Sequence, residues 1–196
     1  MKTKLWLNKV PLLQLFYPSI IDWATKLDYS IPSISVLAKY TVKFLECKSY
    51  ESVYNGETIT AIGTHYAHLN SIKLAGERDH FELITTLIHE FAHAVQYFSH
   101  GDKFNLLYST ESKRAKHSGN KYEDEARALE NRLLDRIRRD SIFCDDIEHF
   151  VFEFEKQKDP PKLKPCPVEK FYYPVWRDLD WYDNYNYKRR KQWWNN

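Results

Sequence analysis

One five-residue run in this 196-residue chain carries side chains that can do chemistry together: His89-Glu90-Phe91-Ala92-His93. On a helix, residues at i and i+4 project from one face about one turn apart. Two imidazoles so placed can reach a single tetrahedral Zn²⁺. Glu90, next to the first histidine, then reaches a water on the metal rather than the metal itself. In that position it serves as general base toward a water the metal has already made acidic. The pattern predicts two metal ligands and one catalytic base, the parts needed to hydrolyse a peptide bond.

A catalytic zinc takes a third protein ligand and leaves its fourth position to water. Downstream candidates are His100, His117, Glu123 and Glu125. His100 shares the face of His89 and His93, but seven residues of helix carry it about 10 Å beyond His93. Gly at 96 with His at 99 would extend the motif in the metzincin manner; the chain has Gln96 and Ser99 there. Tyr122-Glu123-Asp124-Glu125-Ala126 offers two carboxylates two positions apart, so only one of them can face the metal. Glu123 lies beside the apolar stripe of Ala126, Leu133 and Ile137, roughly 60° from its centre. Ala126, one turn on, leaves room for close approach to the first helix. Glu125 points further round, toward Arg132, Arg139 and solvent. Glu123 is therefore the expected third ligand, ahead of Glu125 and then His100.

The elements that must hold these residues are partly visible. Asp79 with Glu82 three residues later forms a capping box, and Phe81, Ile84, Leu87, Ile88, Phe91, Ala92 and Val95 continue a helical series to about Ser99. Gly101 is a natural stop. His89 and His93 share a polar stripe with Glu82, Thr85, Thr86 and Gln96, which is expected to face a cleft. A polar loop is expected from Gly101 to Gly119, after which Asn120 caps a second helix from Lys121 to about Arg139. Upstream, residues Pro11 to Asp28 have helical spacing interrupted by Pro18, which predicts two short pieces or a kinked helix. Ile34 to Tyr50 reads as helix first and strand later, Asn55-Gly56 as a turn, and Thr58–Ile62 and Ser71–Ala75 as strands. One more short element is expected within Ile142 to Phe154. The overall expectation is an α+β fold: a domain over residues 1–155 with its motif core at 70–137, and an irregular aromatic, basic tail over 156–196.

Leu87-Ile88-His89-Glu90-Phe91-Ala92-His93-Ala94-Val95-Gln96-Tyr97, followed about thirty residues on by Tyr122-Glu123-Asp124-Glu125-Ala126, resembles a gluzincin. It is most similar to the minigluzincin peptidases common in phage and bacterial genomes, whose pattern is HExxH on one helix and ExxA on the next. The resemblance implies a zincin-like fold, zinc on His89, His93 and Glu123, Glu90 as catalytic base, and a polypeptide substrate bound in extended form. It also implies an edge strand that pairs with that substrate, a place that Ser71–Ala75 would fill. Many members carry Asp or Asn after the Ala, supporting a ligand histidine; Arg127 stands there instead and leaves that support unassigned. His100-Gly101-Asp102-Lys103-Phe104 is similar, in a weaker way, to the HGxxF element of SprT-like proteases, where the histidine is the third ligand.

Composition bounds the rest. With 14 Tyr, 11 Phe and 6 Trp, burial should be strongly aromatic. A formal charge of +2 does not argue for nucleic acid. Cys47, Cys144 and Cys166 are scattered without CxxC spacing and give neither a disulfide framework nor a thiolate site. The apolar start at Leu5-Trp6-Leu7 is interrupted by Asn8-Lys9, and no run is long enough to span a bilayer, so a soluble, cytosolic or virion-associated protein is expected. Tyr97, Tyr108, His117 and Tyr122 are candidates for stabilising an oxyanion. His65, His68, His80 and His149 read as surface or loop histidines. The tail's Tyr185 to Trp194 run interleaves aromatic and basic residues. The alternative function is accordingly a zincin-fold module without catalysis that engages partners through this tail.

Overall fold

A computed structural model describes residues 3–6, 10–54, 57–115 and 119–156. The turn expected at Asn55-Gly56, the candidate His117 and the tail from residue 157 lie outside the described residues. All contacts below fall within a compact unit of residues 1–154.

A short strand, β1 (Thr3–Trp6), precedes the long helix α1 (Val10–Lys26). This helix runs unbroken across Pro18. An internal proline costs a helix about 3 kcal/mol, while burying one large apolar side chain gains about 1.5–3 kcal/mol. Leu13, Phe16, Ile20 and Trp23 surround the proline and are all buried, so packing outweighs the lost backbone bond. A four-residue helix, α2 (Ile34–Leu37), leads into β2 (Thr41–Leu45), matching the expected change from helix to strand.

Four more strands follow: β3 (Tyr50–Tyr54), β4 (Glu57–Ala61), β5 (Gly63–Tyr66) and β6 (Ser71–Ala75). β3 and β4 pair as a separate antiparallel hairpin. The main sheet has the order β1-β2-β6-β5. β2 and β6 are parallel, with Thr41 opposite Ser71, and both outer strands run antiparallel to their neighbours. The fold is α+β with a small mixed sheet.

Here the structure corrects the expected sheet. Ser71–Ala75 is an interior strand, bonded to β2 on one side and to β5 on the other. The edge on the β6 side is Gly63–Tyr66, a strand too short and too mixed in character to show a period of two. Its residues are all half-buried, so no alternation marks it.

Four helices complete the unit: α3 (His80–His100), α4 (Phe104–Ala115), α5 (Lys121–Arg139) and α6 (Ser141–Lys156). The cap residues fall where the sequence placed them, but Glu82 pairs with Arg78 at 3.2 Å instead of closing the expected capping box. The Asp79 carboxylate accepts from the Phe81 N–H, and the Asn120 side chain accepts from the Tyr122 N–H. α4 replaces the expected polar loop. It was hidden because Phe104 is its buried anchor while Leu106 and Leu107 stay exposed, so it has no apolar stripe. Among the described residues no helix is long and apolar enough to cross a membrane.

α3 and α5 pack against each other. Leu87, Ile88, Phe91, Ala92 and Val95 of α3 share one core with Ala126, Leu129 and Leu133 of α5. Ala126 has no exposed surface, and its small side chain suits a close helix approach. Ala126→Leu is expected to overpack this seam and destabilise the protein by about 1–3 kcal/mol, read as a lower denaturant midpoint; an unchanged midpoint would show that the helices have room there.

Candidate metal centre

The cluster grows from two capped helices. Asp79 and Asn120 start α3 and α5, and the apolar seam sets their faces together. That arrangement brings His89 and His93 from α3 against Glu123 from α5, with one donor atom from each lying within 4.8 Å of the others. The two Nε2 atoms are 3.2 Å apart. His89 Nε2 is 3.4 Å from one Glu123 oxygen, and His93 Nε2 is 3.2 Å from the other. A tetrahedral ion with bonds of about 2.0–2.1 Å separates its ligand atoms by roughly 3.3 Å, close to each of these pairwise approaches, though the two imidazoles meet different Glu123 oxygens.

Outer partners fix which nitrogens face the centre. His89 Nδ1 lies 3.3 Å from Glu130 Oε2. His93 Nδ1 lies 2.8 Å from the side-chain oxygen of Gln96. Both acceptors call for a proton on Nδ1 and turn the Nε2 atoms toward the shared site, the usual arrangement of metal-bound histidine. These two partners were not singled out by the sequence reading. Glu130 was recoverable, since it lies seven residues after Glu123 and so on the same helical face. It takes over the support that Arg127 does not supply; Arg127 instead pairs with Asp124 at 3.0 Å and reaches Glu123 at 3.8 Å.

Glu125 is corrected. It is half-buried rather than solvent-facing, and it accepts from Tyr29 Oη and from Gln96 Nε2. His100 also stays out of the cluster: its ring stacks on Phe104 at 6.2 Å and meets Tyr29 and Tyr122 edge-on. The polar stripe on α3 does not line an open cleft, because Thr85, Thr86, His93 and Gln96 are all buried. The threonine hydroxyls return to their own helix, donating to the carbonyls of Phe81 and Glu82.

Glu90 sits beside the centre and under the edge strand. The His65 backbone N–H of β5 donates to its carboxylate. An added Cβ at Gly63 would come within 2.5 Å of Glu90 Oε1 and 2.7 Å of Thr86 Cγ2, so the strand approaches this closely only because residue 63 is glycine. His65 is therefore not a plain surface histidine. Its Nε2 lies 3.1 Å from Tyr40 Oη, and burial, with His93 nearby, pushes it down to about 3, so it stays neutral. Of the oxyanion candidates, Tyr108 places its hydroxyl on Glu123 and its ring against His93. Tyr97 donates to Asp102 instead, and Tyr122 is packed in the core.

The electrostatics follow from burial and proximity. Burial opposes charge on His89, but the hydrogen bonds to Glu123 and Glu130 overcome it and push the imidazole up to about 10. Burial also opposes charge on Glu123, and the two histidines reverse this, holding the carboxyl well below its usual range. Glu90 is raised by burial; His93 and His89 pull it back only in part, and Glu123 adds to the rise.

No family model, curated protein or solved structure matches this chain.

A pH dependence with two signs follows. His89 is raised above its unfolded value, so its stabilisation of the metal-free protein is complete below about pH 6.5 and is lost as pH rises through about 10. Glu90, also raised, works in the same direction. Metal binding needs the His89 lone pair and so releases a proton. Between pH 7 and 9 the metal-free melting temperature is expected to fall while metal affinity rises by up to about tenfold per unit, measured by calorimetry and chelator competition. Affinity independent of pH would show that His89 gives up no proton to the metal.

Proposed function

We propose that this protein is a zinc-dependent peptidase of gluzincin type with a zincin-like fold, in which His89, His93 and Glu123 hold the metal and Glu90 is the catalytic base. The observation that carries this reading is the position of Glu90. It follows a metal-facing histidine on α3, is buried where it feels the charges of His93, His89 and Glu123, and lies against the backbone of a sheet edge at Gly63. Two nitrogen donors and one carboxylate are the donor set of hydrolytic zinc sites, which keep a fourth position for water. Bound zinc would act there as a Lewis acid that lowers the pKa of a water and polarises a carbonyl.

The chain's own groups would do the rest. Glu90 takes the proton of the attacking water and passes it to the departing amine. Its burial-raised carboxyl suits it to hold that proton between the two transfers. The Tyr108 hydroxyl, which gives its one hydrogen to the ligand carboxylate, would turn from Glu123 to serve as donor to the oxyanion. An extended polypeptide would add to β5, which among the described strands is paired on one side only. The substrate edge is thus Gly63–Tyr66 and not Ser71–Ala75.

Two variants test the base. Glu90→Gln is expected to bind zinc within a few-fold of wild type while turnover of a peptide library falls by about 10²–10⁴; unchanged turnover would remove Glu90 from the mechanism. A wild type that binds zinc and cleaves nothing would leave a metal-held binding module instead. Gly63→Ala places a methyl group against the Glu90 carboxylate, and a misplacement of about 1 Å can cost roughly 10² in rate. It is expected to keep zinc content by elemental analysis and lose most hydrolysis. Full activity in this variant would show that Glu90 does not need the edge strand.

A further inference from the structure

Behind His93 the hydrogen bonds continue in one unbroken chain to a tyrosine far away in sequence. Gln96 has no exposed surface. Its amide nitrogen donates to the Tyr122 carbonyl and to Glu125 Oε2, both at 3.0 Å. With both amide hydrogens committed to acceptors, the Gln96 oxygen must be the atom facing His93, so His93 Nδ1 must be the donor in their 2.8 Å contact. The orientation of one buried amide thus decides which histidine nitrogen is free for a metal. Glu125 Oε2, which holds that amide, also accepts from Tyr29 Oη.

Tyr29 is itself held by a built turn. Asp28 adopts a left-handed conformation, φ 61°, and the Tyr29 N–H returns to the Ala24 carbonyl at 2.9 Å. Trp23 Nε1 donates to the Glu125 backbone carbonyl at 2.9 Å. Ser99 Oγ donates to the Ser30 carbonyl at 3.0 Å. The Tyr29 ring packs edge-on against Trp23 and His100. The turn after α1 is therefore fastened to both helices of the metal centre.

We infer that Tyr29, Glu125 and Gln96 form a positioning relay that fixes the tautomer and orientation of His93, and so makes metal affinity depend on docking of the segment after α1. This rests on the metal-centre reading above. Tyr29 touches neither metal nor substrate in this scheme and acts only through Glu125 and Gln96. Outer partners of metal-bound histidines typically contribute 10–100-fold to affinity, and Tyr29, two steps behind the outer partner Gln96, belongs at the lower end of that range.

The test removes one oxygen atom and keeps the ring. Tyr29→Phe retains the packing on Trp23 and His100 but cannot donate to Glu125. It is expected to weaken zinc binding about tenfold in competition with a chromogenic chelator. It should also shift the visible absorption of the cobalt(II)-substituted full-length protein, since the His93 ligand is less constrained. Gln96→Ala, which breaks the relay at His93, should give a larger loss in the same direction. A purely structural role for Tyr29 would lower the melting temperature of the metal-free protein and leave affinity and the cobalt spectrum unchanged, and that result overturns the relay. A wild type that binds neither zinc nor cobalt would overturn the metal centre itself, and the relay with it.

Discussion

A half-buried histidine, a buried histidine and a buried carboxylate meet between helices whose shared core is apolar. Each group alone would be costly to bury, since desolvation opposes its charge. Together they compensate: the carboxylate of Glu123 lies within 3.4 Å of both imidazoles, and Glu130 and Gln96 satisfy the far nitrogens. This mutual requirement constrains the molecule around it. α3 and α5 must approach closely, which the small buried side chains of Ala92 and Ala126 permit. Both helices must also start in the right place, because a shift of one residue turns a ligand by about 100°.

The remaining elements brace this seam from three directions. From the sheet, β5 closes over α3 and supplies an N–H to Glu90. The close approach of Gly63 makes this contact possible. α4 comes from another side and carries Tyr108 to Glu123, while Asn120 donates to Ser112 of α4 and caps α5, linking the two helix ends. The N-terminal turn brings Tyr29 to Glu125. Polar side chains are thus layered outward from the centre, from Glu123 to Tyr108, Gln96 and Glu130 and on to Glu125 and Tyr29. The threonines of α3 satisfy themselves on their own backbone, which is why a stripe that looks solvent-facing by composition lies in the interior.

How much of this was legible in the sequence depends on the range of the interaction. Local geometry was readable. The caps at Asp79 and Asn120, the stop at Gly101 and the spacing of His89, Glu90 and His93 are set by backbone geometry within a turn or two of helix. Glu123 was readable for a related reason, because the apolar stripe of α5 declares which face turns inward. The α+β character and the strands β2, β4 and β6 followed from side-chain pattern in the same way, while β1, β3 and β5 did not. Ser71–Ala75 was recognisable as a strand, but its place within the sheet was not. Strand order depends on which segments pair, and the short run Gly63–Tyr66 that takes the edge has no pattern of its own.

Tertiary structure alone decided the surroundings of the site. Glu125 looked exposed on a helical wheel, yet a turn nearly a hundred residues earlier delivers Tyr29 to it. His65 looked incidental, yet its backbone meets the base. Gln96 carried no signal beyond being polar, because a buried amide is informative only once its partners are known. The sequence by itself pointed to the group of His89, His93 and Glu123 with Glu90 beside it, since spacing along each helix is a local property. Which groups hold those ligands, which strand lies open beside them and which tyrosine reaches the carboxylate were settled only by the packing of distant segments, for which no local rule of period or capping exists.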